Sequence, residues 1–242
     1  MGRSATRHEL GQWFTPPHVA RLALALASPE AAPSTLLDPS CGDGAFLRAA
    51  VELWGRVPIR HGVDIDARAL EAARAGAEGA QLHHGDFFDW APHHFDAYEL
   101  LAGNPPYVRQ ERLERDVKQR VSQALAQAWP QLPDAEREAL VGRGDLAAPF
   151  VLVAIRCLSP AKRASFVLSQ AFLDSDYGQR FWRLLDVVAE VELIVDAPEE
   201  RWFSDAAVHT MVVVLRRRQE GALAESHPLM LCLEGSCENA LA

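Results

Sequence analysis

Four consecutive residues, Asn104-Pro105-Pro106-Tyr107, put an amide, two rigid prolines and an aromatic ring into one turn. The Asn104 side-chain oxygen and the carbonyl of Pro105 both accept hydrogen bonds, and an –NH₂ group has two donors to give. Two prolines fix φ and stiffen the turn that aims those acceptors. Tyr107 offers a ring face for a planar partner. The set suits capture and methylation of a planar amine. Alone it leaves open which amine, and what donates the methyl group.

A second constellation lies upstream. Asp38-Pro39-Ser40-Cys41-Gly42-Asp43-Gly44-Ala45-Phe46 follows the apolar pair Leu36-Leu37. Glycines at such a turn let backbone approach a ligand closely. No G-x-G-x-x-G is present, and carboxylates crowd the loop, whereas a pyrophosphate wants bare N–H groups. Asp38 and Asp43 suit a cationic cofactor instead, and S-adenosylmethionine carries an ammonium and a sulfonium. Asp64 ends the next strand, roughly twenty residues past the loop, where a carboxylate can accept both ribose hydroxyls. Asp66 either shares that role or caps the following helix. At Gly85-Asp86-Phe87, Asp86 can accept from an adenine amine and Phe87 can cover the ring. Each has a plain structural explanation, Asp66 and Asp86 as caps and Phe87 as core. Together, at successive strand ends, they mark the ligand edge of an open α/β sheet.

The elements that must hold these groups are legible from periodicity. Val19, Leu22, Ala23 and Leu26 recur at helical spacing, so a helix is expected from Pro16 or Pro17 with Thr15 near its N-cap. Strands are expected at residues 36–38, 61–65, 81–83, 95–102, 164–168, 190–195 and 209–216, with helices at 45–54, 67–75, 147–158 and 178–188. Alternating strands and helices imply parallel crossovers and a sheet covered on both faces. The expected fold is therefore α/β: seven mostly parallel strands, with a charged helical insertion at residues 109–143 after the fourth. Leu113, Val117, Val121 and Leu125 form a stripe in that insertion, which reads as peripheral rather than core. Residues 219–242 show no clear period and are left as a tail.

Composition bounds the function. At 242 residues, the chain suits one α/β domain with a small appendage. No apolar run is long enough to span a membrane, and residues 1–4 lack a signal-peptide core, so a cytoplasmic protein is expected. Cys41, Cys157, Cys232 and Cys237 show no paired CxxC spacing, and the histidines are scattered, so no metal is expected. A Cys232–Cys237 disulfide is geometrically open but disfavoured in a cytosolic setting. The net charge of −9 opposes tight duplex binding by this chain alone, because such affinity comes largely from neutralised phosphates.

The order Gly11-Gln12-Trp13-Phe14-Thr15-Pro16-Pro17, then 38–46, 62–66, 85–87 and 104–107, resembles the gamma-class adenine-N6 DNA methyltransferases of restriction–modification systems. Val108-Arg109-Gln110-Glu111 is similar to their Eco57I-type branch, and the likeness runs from about Leu10 through Arg217. It implies a Rossmann-like methyltransferase fold, with residues 1–218 as the catalytic domain and S-adenosylmethionine as cofactor. Thr15 would line the methionine end, Asp38, Cys41 and Gly42 would hold the amino-acid part, Asp64 the ribose, and Asp86 and Phe87 the adenine. Asn104 and Pro105 would hold the target amine, and Tyr107 would stack on a base flipped from double-stranded DNA. Phe203 resembles the aromatic on the base's other face, with Trp202 as a rival and a loop anchor as the plain alternative. The tail is too short for a target-recognition domain, so a separate specificity domain or subunit is expected. Two other readings stay open: a methyltransferase acting on RNA or on a protein glutamine, and a non-catalytic subunit that only binds cofactor or partner. No cluster of carboxylates with lysine suggests DNA cleavage.

Overall fold

Leu36 and Leu37 are neighbours on one strand, point to opposite faces, and are both fully buried, so their sheet is covered on both sides. The same alternation repeats at Leu100 and Leu101, and again along residues 212–215. The computed structural model describes residues 13–28, 30–197, 202–203, 209–219, 221 and 228–233. Gly11 and Gln12 of the leader and Cys237 of the possible disulfide lie outside the described residues.

The strands are β1 (Thr35–Asp38), β2 (Ile59–Asp64), β3 (Gln81–His84), β4 (Tyr98–Gly103), β5 (Leu158–Ser169), β6 (Ala189–Asp196), β7 (Thr210–Arg217) and β8 (Leu229–Cys232). The helices are α1 (Pro17–Ala27), α2 (Ala45–Trp54), α3 (Ala67–Gly76), α4 (Phe87–Trp90), α5 (Arg115–Ala128), α6 (Asp134–Gly142), α7 (Ala147–Cys157), α8 (Ala171–Asp174) and α9 (Asp176–Val188). The sheet runs β3-β2-β1-β4-β5-β7-β6-β8. Among the described strands, only β7 is antiparallel to its neighbours. The expected α/β sheet is there with eight strands instead of seven, because β8 adds to β6 in parallel. One face is covered by α1 and α2 together with parts of α3, the other by α4, α5, α6, α7 and α9.

Helix α1 starts at the expected Pro17, and Thr15 adjoins its N-cap, Pro16; no side chain caps that helix, and Pro17 opens it with φ already set. One expectation needs correction: the insertion is not peripheral. Helix α7 is buried at every position except Arg156, and a helix that is apolar all round needs cover on every side. Val121, Ala124, Leu125 and Ala128 of α5 supply part of it, and Trp129 donates its indole N–H to the Leu152 carbonyl at 2.7 Å.

At the sheet end opposite the C-terminus of β4, an ion cluster ties three segments together. Asp96, in the left-handed region at φ 61°, receives Arg156 from α7 and the buried Arg217 from β7. Arg217 also donates to the Leu158 and Arg156 carbonyls. Partial burial raises the Asp96 carboxyl, but the hydrogen bonds and charges of the two arginines outweigh it and hold the group below the usual carboxylate range. Asp96→Asn keeps a side chain that tolerates this backbone and removes the charge. It is expected to cost about 1–2 kcal/mol in urea unfolding at neutral pH, discounted for the exposure of Asp96. The depressed folded value makes this contribution full above the unfolded carboxylate range and lost as pH falls through it. The gap between wild type and variant should therefore close in acid.

Candidate active site

The chain leaves β1 for β2 and β3, then crosses back to β4, which lies on the other side of β1. The loops leaving β1 and β4 therefore part in opposite directions and open a crevice at the strand C-termini, the switch point where open α/β sheets bind ligands. A cleft of about 250 Å³ occupies it. Its walls come from the leader (Trp13, Phe14), the β1 loop (Pro39, Ser40, Gly42), the end of β2 (Asp64, Ile65), residues 85–88, and the β4 turn (Asn104, Pro106, Val108). Leu113, Val117 and Arg120 of the insertion, with Leu146 at the N-cap of α7 and Phe150 within it, complete the lining. A small hollow beside it is lined by Thr15, Cys41, Gly42 and Asn104, among others.

Asn104 is nearly buried at the centre of this arrangement. Its Nδ2 donates to the Trp13 carbonyl at 3.1 Å, and its own backbone carbonyl accepts from Ser40 Oγ at 2.9 Å. Only the amide nitrogen can donate to a carbonyl, so the first bond fixes which way the side chain faces. Oδ1 is left buried without a hydrogen-bond partner. A buried acceptor with nothing to accept is costly unless a ligand supplies a donor. Pro106 and Val108 continue the wall, while Tyr107 turns its hydroxyl to the Val167 carbonyl of β5 at 2.8 Å. The turn is pinned beyond that point by Leu146 N to Val108 O at 2.9 Å, and by the fully buried Gln110, whose Nε2 donates to the Leu140 carbonyl at 2.8 Å.

The carboxylates fall into layers. Asp38 is wholly buried beneath the β1 loop; Oδ1 accepts from Ser40 N at 3.3 Å and Oδ2 has no hydrogen-bond partner. Burial, with Asp64 and Asp43 nearby, pushes its carboxyl well above the usual range, so a cation would relieve it. Asp64 stands on the cleft wall, yet both its oxygens also brace backbone, accepting from Gly42 N at 2.7 Å and Asp66 N at 2.8 Å. Asp66 caps α3 through Arg68 N. Asp86 caps α4 through Phe88 N at 2.9 Å and turns its other oxygen to Arg120 Nε at 3.3 Å. Phe87 packs on Phe150 with ring centroids 4.6 Å apart. Ile65, which also lines the cleft, is 54% exposed, an apolar side chain left open.

The structure thus brings Gly42, Asp64, Asp86, Phe87, Asn104 and Pro106 to one cleft and Thr15 and Cys41 to the hollow beside it. Asp38 sits behind them. Trp202 and Phe203 are both buried in the layer of α1 and α2. Trp13, Phe14, Ile65, Arg120 and Phe150 are cleft residues that the motif reading does not single out. The first two were within reach, since they abut the Thr-Pro-Pro segment. Among the described residues, no group of three His, Cys, Asp or Glu is placed to hold a metal ion, and no helix is long and apolar enough to cross a membrane.

The family model described as N-6 DNA Methylase matches residues 3–231. A Type II methyltransferase of Thermus thermophilus is 40% identical over 106 residues, covering 43% of this chain and 23% of that protein. Type II methyltransferase M.XamI of Xanthomonas campestris pv. amaranthicola is 25% identical over 227 residues, covering 89% and 40%. The chain thus spans less than half the length of these relatives. Among solved structures, the type IIG restriction endonuclease BpuSI superimposes with a TM-score of 0.68 at 18% identity, over 95% of this chain and 27% of that one. The M protein of the type I restriction enzyme EcoKI gives 0.61 at 15%, over 87% and 45%. At such identities these two likenesses speak to the fold.

The cofactor-side loop is seated by a close approach at β2. A Cβ at Gly62 would lie 2.8 Å from Cys41 Sγ and 2.9 Å from methyl carbons of Leu47 and Leu82. Gly62→Ala should therefore destabilise the fold by about 1–3 kcal/mol through overpacking. Pairing it with Cys41→Ala should recover part of the loss, read from urea midpoints of the two variants.

Proposed function

Because the chain belongs to the N-6 DNA methylase family, we propose that it transfers a methyl group from S-adenosylmethionine to the N6 amine of an adenine flipped out of DNA. The observation that carries this reading is Asn104 Oδ1, a buried acceptor held without a partner on a residue of the cleft wall. The cofactor fits the residues present: carboxylates at three strand ends, an uncompensated buried Asp38, and apolar Ile65 and Phe87 on the cleft wall. Gly42 and Cys41 would border its amino-acid end with Thr15, Asp64 would meet the ribose, and Asp86 and Phe87 the adenine.

When bound, S-adenosylmethionine supplies an electrophilic methyl group on its sulfonium. The protein's own work is to prepare the nucleophile. An adenine amine is weak because its lone pair is delocalised into the ring. Asn104 Oδ1 and the Pro105 carbonyl take its two N–H bonds, favour a pyramidal nitrogen, and stabilise the positive charge that develops on it. The Trp13 and Ser40 contacts hold the Asn104 acceptor in line, so alignment carries much of the acceleration. No strong base is required, since the methylated nitrogen is acidic and gives its proton to solvent. Tyr107 and Phe203 are the proposed stacking partners of the base. Their present positions, one tied to Val167 and the other buried, mean that base capture would include a rearrangement there.

The leader packed against Asn104 supports the gamma order of motifs. The chain's acidic balance supports a separate specificity domain or subunit in a restriction–modification setting. We read residues 1–218 as the catalytic unit.

Transfer of tritiated methyl from S-adenosylmethionine should label DNA, and neither RNA nor release-factor protein. Asn104→Ala should lower that transfer by about a hundredfold or more while cofactor affinity stays within about twofold, as expected for an interaction made chiefly in the transition state. Full transfer by Asn104→Ala, or labelling of RNA or protein in place of DNA, would remove the assignment.

A further inference from the structure

We propose that Arg120, supplied by the insertion helix α5, is a positioning residue for the cofactor: it holds the Asp86 carboxylate charged and oriented at the adenine end of the cleft. The inference rests on reading the cleft as an S-adenosylmethionine site. Asp86 has two oxygens to account for. Oδ1 is spent on Phe88 N as the cap of α4, and Oδ2 faces Arg120 Nε at 3.3 Å. The Arg120 side chain is 37% exposed, yet it forms part of the cleft wall. It lies one helical turn after Val117, and both line the cleft on the same stripe of α5. Its Nε is buried and makes no hydrogen bond, so at 3.3 Å it acts on Asp86 as a charge rather than as a hydrogen-bond donor.

The charge around Asp86 gives Arg120 its purpose. Burial raises the Asp86 carboxyl, the Phe88 N–H and Arg120 lower it, and Asp89 on α4 raises it again, leaving it above the usual range. Asp116 of α5 lies 3.9 Å from Arg120 Nη2 and shares that guanidinium, and His83 of β3 lies beside Gly85. Arg120 is thus the cation set against burial and the neighbouring acids. A protonated Asp86 would turn an O–H toward an amine that itself needs an acceptor, and would repel it. The arrangement also gives the insertion a share in cofactor binding, although nothing in its charged sequence resembles a cofactor motif.

The test is calorimetric titration of the purified chain with S-adenosylmethionine at neutral pH and then at successively lower pH, toward the carboxylate range, where burial has raised the Asp86 carboxyl. Arg120→Met should bind roughly tenfold more weakly near neutral pH, the worth of one charge-assisted contact. Its loss of affinity in acid should begin at higher pH than in wild type. Arg120→Lys should recover most of the affinity. On an Asp86→Asn background, Arg120→Met should cause no further loss, because the arginine acts through the carboxylate. Unchanged affinity and pH profile in Arg120→Met would overturn the inference. So would an equal loss on both backgrounds, the mark of a merely structural role. No binding by the wild-type chain would overturn the reading of the cleft itself, and the inference with it.

Discussion

The hydrogen bond from Asn104 Nδ2 to the Trp13 carbonyl is the contact on which the site depends. It joins residues 91 positions apart and decides a question that the sheet alone leaves open, namely which end of the amide faces the cleft. The rest of the architecture makes that bond possible. The switch point sets β4 beside β1, so Ser40 reaches the Asn104 carbonyl. Helix α1 packs on the face of Leu36 and Leu100 and delivers the leader to the strand ends. Gln110 and Leu146 hold the outgoing turn from the other side. An acceptor left empty inside protein has a real cost, and a fold spends stability in this way where a ligand will later be held.

The acidic residues around the cleft show how structural and ligand-facing duties can share one side chain. Asp64 braces the glycine loop through Gly42 and the start of α3 through Asp66, and still borders the cleft. Asp86 caps a helix with one oxygen and faces the cleft wall with the other. Reading these groups as either caps or binding residues sets up a false choice. A carboxylate has about four lone-pair directions, and a cap uses one or two of them. The bracing also fixes the side chain's orientation, which lowers the entropy lost when something binds.

Much of this was legible in the sequence. Helix α2 falls on the expected 45–54, because Gly44 and Gly55 punctuate both of its ends. The early strands and their carboxylates emerged because each sits at a sharp change from period 2 to period 3.6. What stayed hidden depends on distant partners or on missing punctuation. Strand β5 begins at Leu158, directly after Cys157 of α7, with no turn residue between them, and passes through Ala161 at φ 64°. Strand β8 is four residues long, and all four are exposed, so it carries no burial pattern. The insertion reads as charged and surface-bound, yet its apolar stripe is the cover that α7 requires. The Tyr107 hydroxyl meets a carbonyl 60 residues away, and Arg120 meets Asp86 across two elements. No local spacing encodes either contact.

Cys41 has a consequence for the chemistry. A thiol in a loop proposed to receive an electrophilic methyl donor would itself be a target, since a thiolate is a far better nucleophile than an aromatic amine. Here the thiol is buried against Gly62, and burial, together with the charges of Asp38 and Asp64, pushes its proton affinity upward. That direction favours the protonated thiol, the less nucleophilic form. The carboxylates that would welcome a sulfonium also disarm the one side chain in the loop able to consume it. On the proposed function, the electrostatics that favour the donor would also keep this thiol from reacting with it.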